Sequence, residues 1–186
     1  MLTLRPLTDF TLADLRRLIV GYVTDAKYLV TKSELAQTTT IQLQLVALHS
    51  PFQKQYDPID DEAFQRYTRV AREGFSVGAY DGEQLVGLAL AEPQGWNKSL
   101  WVWEFHVAET HQRRGVGRGL MDALADKAAA AGLRIIVCET QNTNVPAINF
   151  YRAVGFAVEG IDVSYYTNDD LLPDREVAVF MKRRLA

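Results

Sequence analysis

The run Gln112-Arg113-Arg114-Gly115-Val116-Gly117 has the residue types of an anion cradle. It follows an apolar run, Trp101 to Ala108, that suits a strand, and opens a run, Gly117 to Ala131, that suits a helix. The first turn of a helix carries main-chain N–H groups with no intrahelical partner, and the helix dipole adds partial positive charge there. Gly115 and Gly117 have no β-carbon, so a phosphate can come close to the main chain. Arg113, Arg114 and Arg118 add full charge beside it. Taken alone, the run serves equally well as a glycine-containing loop with solvated arginines. It is not a Walker loop, because no Gly-Lys-Ser/Thr follows, and its third glycine is misplaced for a dinucleotide fingerprint.

A second set of residues could move protons. Glu104 alternates with Trp103 and Phe105 along the strand run, which points it away from Trp101 and Trp103. A carboxylate there can act as a base through water or anchor a cationic substrate. His106 is the rival base, since an imidazole titrates near neutrality. Asn144, Ala147 and Tyr151 are spaced by three and four residues and share one helix face. Tyr151 also suits plain core packing against Phe150. Cys138 lies inside a buried apolar run and reads as structural. Trp96, Trp101 and Trp103 suit an aromatic wall for a substrate, core packing or a homodimer contact equally. The three histidines, His49, His106 and His111, show no metal-ligand spacing.

These residues need a scaffold. The chain has 186 residues, enough for one domain with a sizeable core, and its single cysteine excludes an internal disulfide framework. No apolar run is long enough to span a bilayer, and the start, Met1 to Pro6, lacks a signal-peptide pattern, so a cytoplasmic protein is expected. The formal net charge of −3 argues against a general nucleic-acid binder. Leu2 to Arg5 suits a short strand, and Leu12, Leu15, Leu18 and Ile19 recur at helical spacing after a cap at Asp9 or Thr11. Residues 21–33 fit no single pattern. Ile41 to Leu45 alternates as a strand, and Ser50 to Pro58, with two prolines, suits a loop. A helix is expected from Asp60 or Asp61 to about Arg72. A hairpin follows, with strands Phe75 to Tyr80 and Gln84 to Glu92 around Asp81-Gly82. Leu133 to Thr140 suits a buried central strand, Asn144 a cap on a helix through Ala153, and Phe156 to Tyr166 with Glu176 to Lys182 a closing antiparallel pair. The expected architecture is a single mixed α/β domain over residues 1–186, antiparallel in its N-terminal half, with a parallel strand-helix-strand crossover near the middle.

Strand, Gln-x-x-Gly-x-Gly, helix, buried strand, then Asn144, Ala147, Phe150, Tyr151, Gly155 and Phe156: in this order the chain resembles a GNAT-superfamily N-acetyltransferase. Glu139-Thr140-Gln141 and the tail Glu176 to Phe180 are similar to streptothricin acetyltransferases. The chain departs from them at the third long strand, where Trp101-Val102-Trp103-Glu104-Phe105-His106-Val107 keeps the glutamate but changes its neighbours. The resemblance implies acetyl-CoA as the donor, and no metal. It implies a pyrophosphate on the main chain of Gln112, Arg113, Arg114, Gly115, Val116, Gly117 and Arg118, and a pantetheine arm along Phe105, His106 and Val107. Asn144, Ala147, Phe150 and Tyr151 would complete the cofactor side. Tyr151 would protonate the leaving thiolate, and Glu104 would serve as base or anchor. The acceptor implied is an amine of a small molecule of the streptothricin kind. Two alternatives stand beside it: the same reaction on a protein N-terminus or lysine, and a non-catalytic acyl-CoA-binding module.

Overall fold

The computed structural model describes residues 1–185 and divides the chain into two compact units. The first comprises Met1–Val20, Tyr56–Cys138 and residues 183–185; the second comprises Gly21–Gln55 and Glu139–Lys182.

In the first unit, β1 (Leu2–Pro6), β4 (Val77–Asp81), β5 (Gln84–Gln94) and β6 (Ser99–Val107) form successive antiparallel pairs. The chain then runs through α3 (Val116–Ala130) and returns as β7 (Ile135–Gln141), whose first residues lie parallel to β6. This is the expected crossover. Helix α1 (Leu12–Leu18) starts from a capping box in which Thr11 and Asp14 bond each other's main chain, and α2 (Asp61–Arg72) starts from Asp60, which accepts from the N–H of Ala63 at 2.7 Å. Their apolar faces meet β4 and β5 in a core that includes Leu7, Leu15, Tyr67, Val70, Leu88 and Leu90. Helix α3 buries Leu120, Met121, Leu124 and Ala128. Gly87 makes its close approach workable: a Cβ there would lie 3.2 Å from the Leu120 side chain.

Two irregularities shape β6. Leu90 pairs with Glu104 but Ala91 pairs with Val102, so Trp103 is an extra residue on β6. Such a bulge re-aims the side chains next to it. The ladder with β7 covers only Ser99 to Val102, whereas the ladder with β5 extends to Val107.

In the second unit, β2 (Gly21–Leu35) and β3 (Thr38–Gln55) form one long antiparallel hairpin. Residues 21–33 are thus a strand, and Ser50 to Gln55, expected to be loop, belong to β3. Pro51 is tolerated because it falls within the register shift, between the pairs Ala26↔Ala47 and Thr24↔Phe52, where no ladder bond is required of its nitrogen. The mixed polar and apolar sequence hid the hairpin, because much of it is exposed and no face has to be uniformly apolar. Helix α4 (Val145–Ala153) and the antiparallel pair β8 (Ala157–Asp162) and β9 (Ala178–Arg184) complete this unit, apart from the last residues of β9.

Candidate active site

Of the four α-helices among the described residues, α1, α2 and α4 each start from a side-chain cap, on Thr11, Asp60 and Asn144. Helix α3 does not. Its N-cap is Gly115, with no side-chain cap bond and no acidic residue in the first turn. The first turn therefore keeps main-chain donors and dipole charge for something outside the helix. The preceding loop is folded by two left-handed residues, Arg113 at φ 58° and Gly115 at φ 83°. Left-handed turns of this kind gather successive N–H groups into a concave nest. Space is open at Gly115, where a β-carbon would meet nothing within 4 Å. The Gln112 side chain turns back and donates to the carbonyl of Val107 at 3.0 Å, which ties the loop to the end of β6. Arg113, Arg114 and Arg118 are all exposed on this end.

Glu104 and His106 lie two residues apart on β6, so their side chains share a face. Nε2 of His106 is 2.8 Å from Oε2 of Glu104. The hydroxyl of Tyr67, on α2, donates to the other oxygen, Oε1. Burial pushes the Tyr67 phenol above its usual range, and the neighbouring carboxylate pushes it further. The Arg66 guanidinium lies 5.2 Å from the Tyr67 ring centre and 5.7 Å from that of Trp103. The ring of Tyr56 stands edge-on to His106, with centres 6.2 Å apart. Trp103 turns away and donates from its indole N–H to Glu92 at 2.9 Å, and its ring meets that of Trp101. Tyr67, Arg66 and Tyr56 were not singled out from the sequence. Tyr67 repeats with Phe64 and Val70 on the apolar face of α2, and periodicity marks such a tyrosine as core without showing where its hydroxyl points.

Asn144, Ala147, Phe150 and Tyr151 belong to the second unit. Asn144 caps α4 by accepting from the N–H of Ala147 at 3.1 Å. Pro146 falls in the first turn, where it costs no helical bond. Tyr151 is buried, with its ring between those of Phe150 at 5.5 Å and Phe156 at 5.4 Å. Sequence reasoning placed these four residues on one short helix, as found. It did not foresee a polar group within the same unit: Glu176 accepts from Lys54 at 2.6 Å and from Thr143 at 2.7 Å, and Tyr22 bonds both Thr143 and Glu176. Glu139 accepts from the hydroxyl of Tyr166, whose phenol is pushed up by burial and then by that carboxylate. Among the described residues, no group of three or more His, Cys, Asp or Glu side chains is arranged to hold a metal ion, and no helix is long and apolar enough to cross a membrane.

The glycine-containing helix start beyond β6 and the Asn144–Phe156 segment both fall within residues 42–156, the stretch that matches the acetyltransferase (GNAT) family profile and more than half of the chain. The chain belongs to the acetyltransferase (GNAT) family. Within that family it is 40% identical over 96 residues to the streptothricin acetyltransferase of Streptomyces lavendulae. The match covers 52% of this chain and spans about half, 50%, of that relative's length. The crystal structure of nourseothricin acetyltransferase superposes with a TM-score of 0.80 at 26% identity, covering 100% of this chain and 99% of that one. A Bacillus anthracis protein solved in complex with acetyl coenzyme A shares the fold, with a TM-score of 0.75, 21% identity and full coverage of both chains. The mixed, mostly antiparallel sheet with one parallel pair is thus the GNAT fold expected from the motifs.

Proposed function

We propose that this GNAT-family chain is an N-acetyltransferase that moves the acetyl group of acetyl-CoA to an amine of a small molecule of the streptothricin class. One observation carries the donor half: α3, alone among the α-helices of the described residues, opens without a side-chain cap, on a left-handed glycine beside three arginines. A diphosphate would accept from the main-chain N–H groups of Gly115, Val116 and Gly117 and be neutralised by Arg113, Arg114 and Arg118. The pantetheine arm would extend along Phe105, His106 and Val107, on the side where the β6–β7 ladder has ended, and pair with main-chain groups as an added strand would. Asn144, Ala147, Phe150 and Tyr151 complete the donor side of this proposal. Acetyl-CoA brings an activated acyl group, held as a thioester.

Transfer needs an amine free of one proton, a polarised carbonyl and a stabilised thiolate. Tyr151 supplies a phenolic proton to the departing sulfur. Glu104 supplies negative charge on the acceptor side, where a cationic amine is drawn. The acceptor class follows the streptothricin acetyltransferase relative, and both units together serve as one catalytic domain. The test is calorimetric titration with acetyl-CoA, followed by thiol release with streptothricin as acceptor. Saturable binding near 1:1 and streptothricin-dependent thiol release are expected; a protein that bound no acetyl-CoA would overturn the proposal.

A further inference from the structure

The Glu104 group offers two proton acceptors, and its geometry favours one. Both oxygens of the Glu104 carboxylate are engaged: Oε1 accepts from the Tyr67 hydroxyl, and Oε2 lies 2.8 Å from Nε2 of His106. These two contacts tie the carboxylate to Tyr67 and to the imidazole, so its geometry suits orienting the ring. His106 is differently placed. When its Nε2–H donates to Glu104, the lone pair of a neutral imidazole sits on Nδ1, which is then the basic atom. The His106 side chain keeps 18% of its surface exposed, and the edge-on ring of Tyr56 limits how it can turn. The groups facing this pair are Glu104 on its own strand, Tyr67 and Arg66 on α2, and Tyr56 just before α2.

We propose that His106 is the group that takes the proton from the attacking amine, with Glu104 holding the imidazole by its Nε2–H and Tyr67 holding the carboxylate. The inference rests on the acetyl-transfer reading above. The amine lone pair forms the C–N bond to the thioester carbonyl carbon, and the proton released from nitrogen passes to Nδ1 of His106. The C–S bond breaks with its electron pair on sulfur, which takes the phenolic proton of Tyr151. His106 then returns its proton to water and Tyr151 regains one, so an amide and a free thiol are formed with no net change in protons. Glu104 and Tyr67 are positioning residues in this scheme. They select the tautomer and orient the ring, and the half-buried carboxylate stabilises the imidazolium.

The test combines the nitrogen-15 NMR spectrum of the histidines with kinetics. The chain has three histidines, so His106→Gln identifies the signal. The expected resting state is the Nε2–H tautomer. Tyr67→Phe should move its protonation midpoint to higher pH, because a carboxylate relieved of one donor attracts the imidazolium more strongly. With streptothricin as acceptor, the rising limb of kcat against pH should follow that midpoint. His106→Gln keeps a donor toward Glu104 but cannot take a proton; it should lower kcat by about 100-fold or more, with the KM for acetyl-CoA within about twofold and the melting temperature retained. An Nδ1–H tautomer, or His106→Gln enzyme with more than a tenth of wild-type kcat, would overturn the role of His106 while leaving acetyl transfer intact. A midpoint unmoved by Tyr67→Phe would remove Tyr67 from the scheme. A wild-type protein with neither acetyl-CoA binding nor thiol release would overturn the acetyl-transfer reading itself, and the proton role with it.

Discussion

Asn142 and Tyr28 are joined by two hydrogen bonds: the Tyr28 N–H donates to the main-chain carbonyl of Asn142 at 2.9 Å, and the Asn142 side-chain amide donates to the carbonyl of Tyr28 at 2.7 Å. Asn142 is buried, and its remaining groups meet Val177, accepting at Oδ1 over 2.8 Å and donating from the main chain over 2.9 Å. One side chain therefore satisfies main-chain groups of β2 and of the segment before β9. Asn142→Ala should lower stability by about 2 kcal/mol, since it leaves a buried carbonyl and a buried N–H without partners. Asn142→Asp should also destabilise, because a carboxylate accepts from Val177 but cannot donate to Tyr28. Urea unfolding of the two variants beside wild type measures both effects.

Gly115 holds φ 83° with open space around it. Gly115→Ala should cost about 1–2 kcal/mol from the left-handed backbone alone, with no clash to relieve. Asparagine tolerates that conformation better than alanine, so Gly115→Asn should melt higher than Gly115→Ala. If the proposed cradle is correct, both variants lose acetyl-CoA affinity, because a β-carbon stands where the diphosphate would approach. Melting curves and calorimetric titration separate the two effects.

Tyr151 lies in an aromatic group with Phe150 and Phe156. Tyr151→Phe keeps the ring and removes only the proposed proton donor. Turnover should fall by about 100-fold, at the low end of general-acid contributions, while acetyl-CoA binding stays within about twofold of wild type. Stopped-flow thiol release is the measurement. Unchanged turnover would leave the tyrosine a packing residue.

Alkaline pH should expose the Tyr67 phenol. Burial, and then Glu104, raise its folded-state pKa, whereas an unfolded tyrosine loses its proton at about pH 10. Above that pH the unfolded state binds fewer protons than the folded one, so stability present below about pH 10 falls as pH rises. Tyr166, raised by burial and Glu139, adds in the same direction. Tyr67→Phe should flatten part of the decline in urea midpoint between about pH 9 and pH 11. A decline as steep as wild type would contradict a perturbed Tyr67.

The elements that position the site were largely readable. Helix α3 and the strands before and after it follow from an apolar run, a glycine turn, an alanine-rich helical stretch and a second apolar run. Strong periodicity and glycine chemistry are local properties, so they survive in the sequence. Of the long β2–β3 hairpin only Ile41 to Leu45 was readable as strand; the rest was not, because its side chains are mostly exposed and Pro51 sits in a register shift that only the pairing reveals. Tyr67 was legible as a buried residue, but its hydroxyl's partner was not.

The order of residues alone determined the family motifs, the crossover around α3, the bare glycine start of that helix, and Glu104 and His106 on one strand face. Only the folded chain decided that α2 delivers the Tyr67 hydroxyl to Glu104, and that the β6–β7 ladder ends at Val102. Tyr67 and Glu104 are 37 residues apart. Periodicity fixes which way a side chain faces along its own element, but what it meets depends on how separate elements pack.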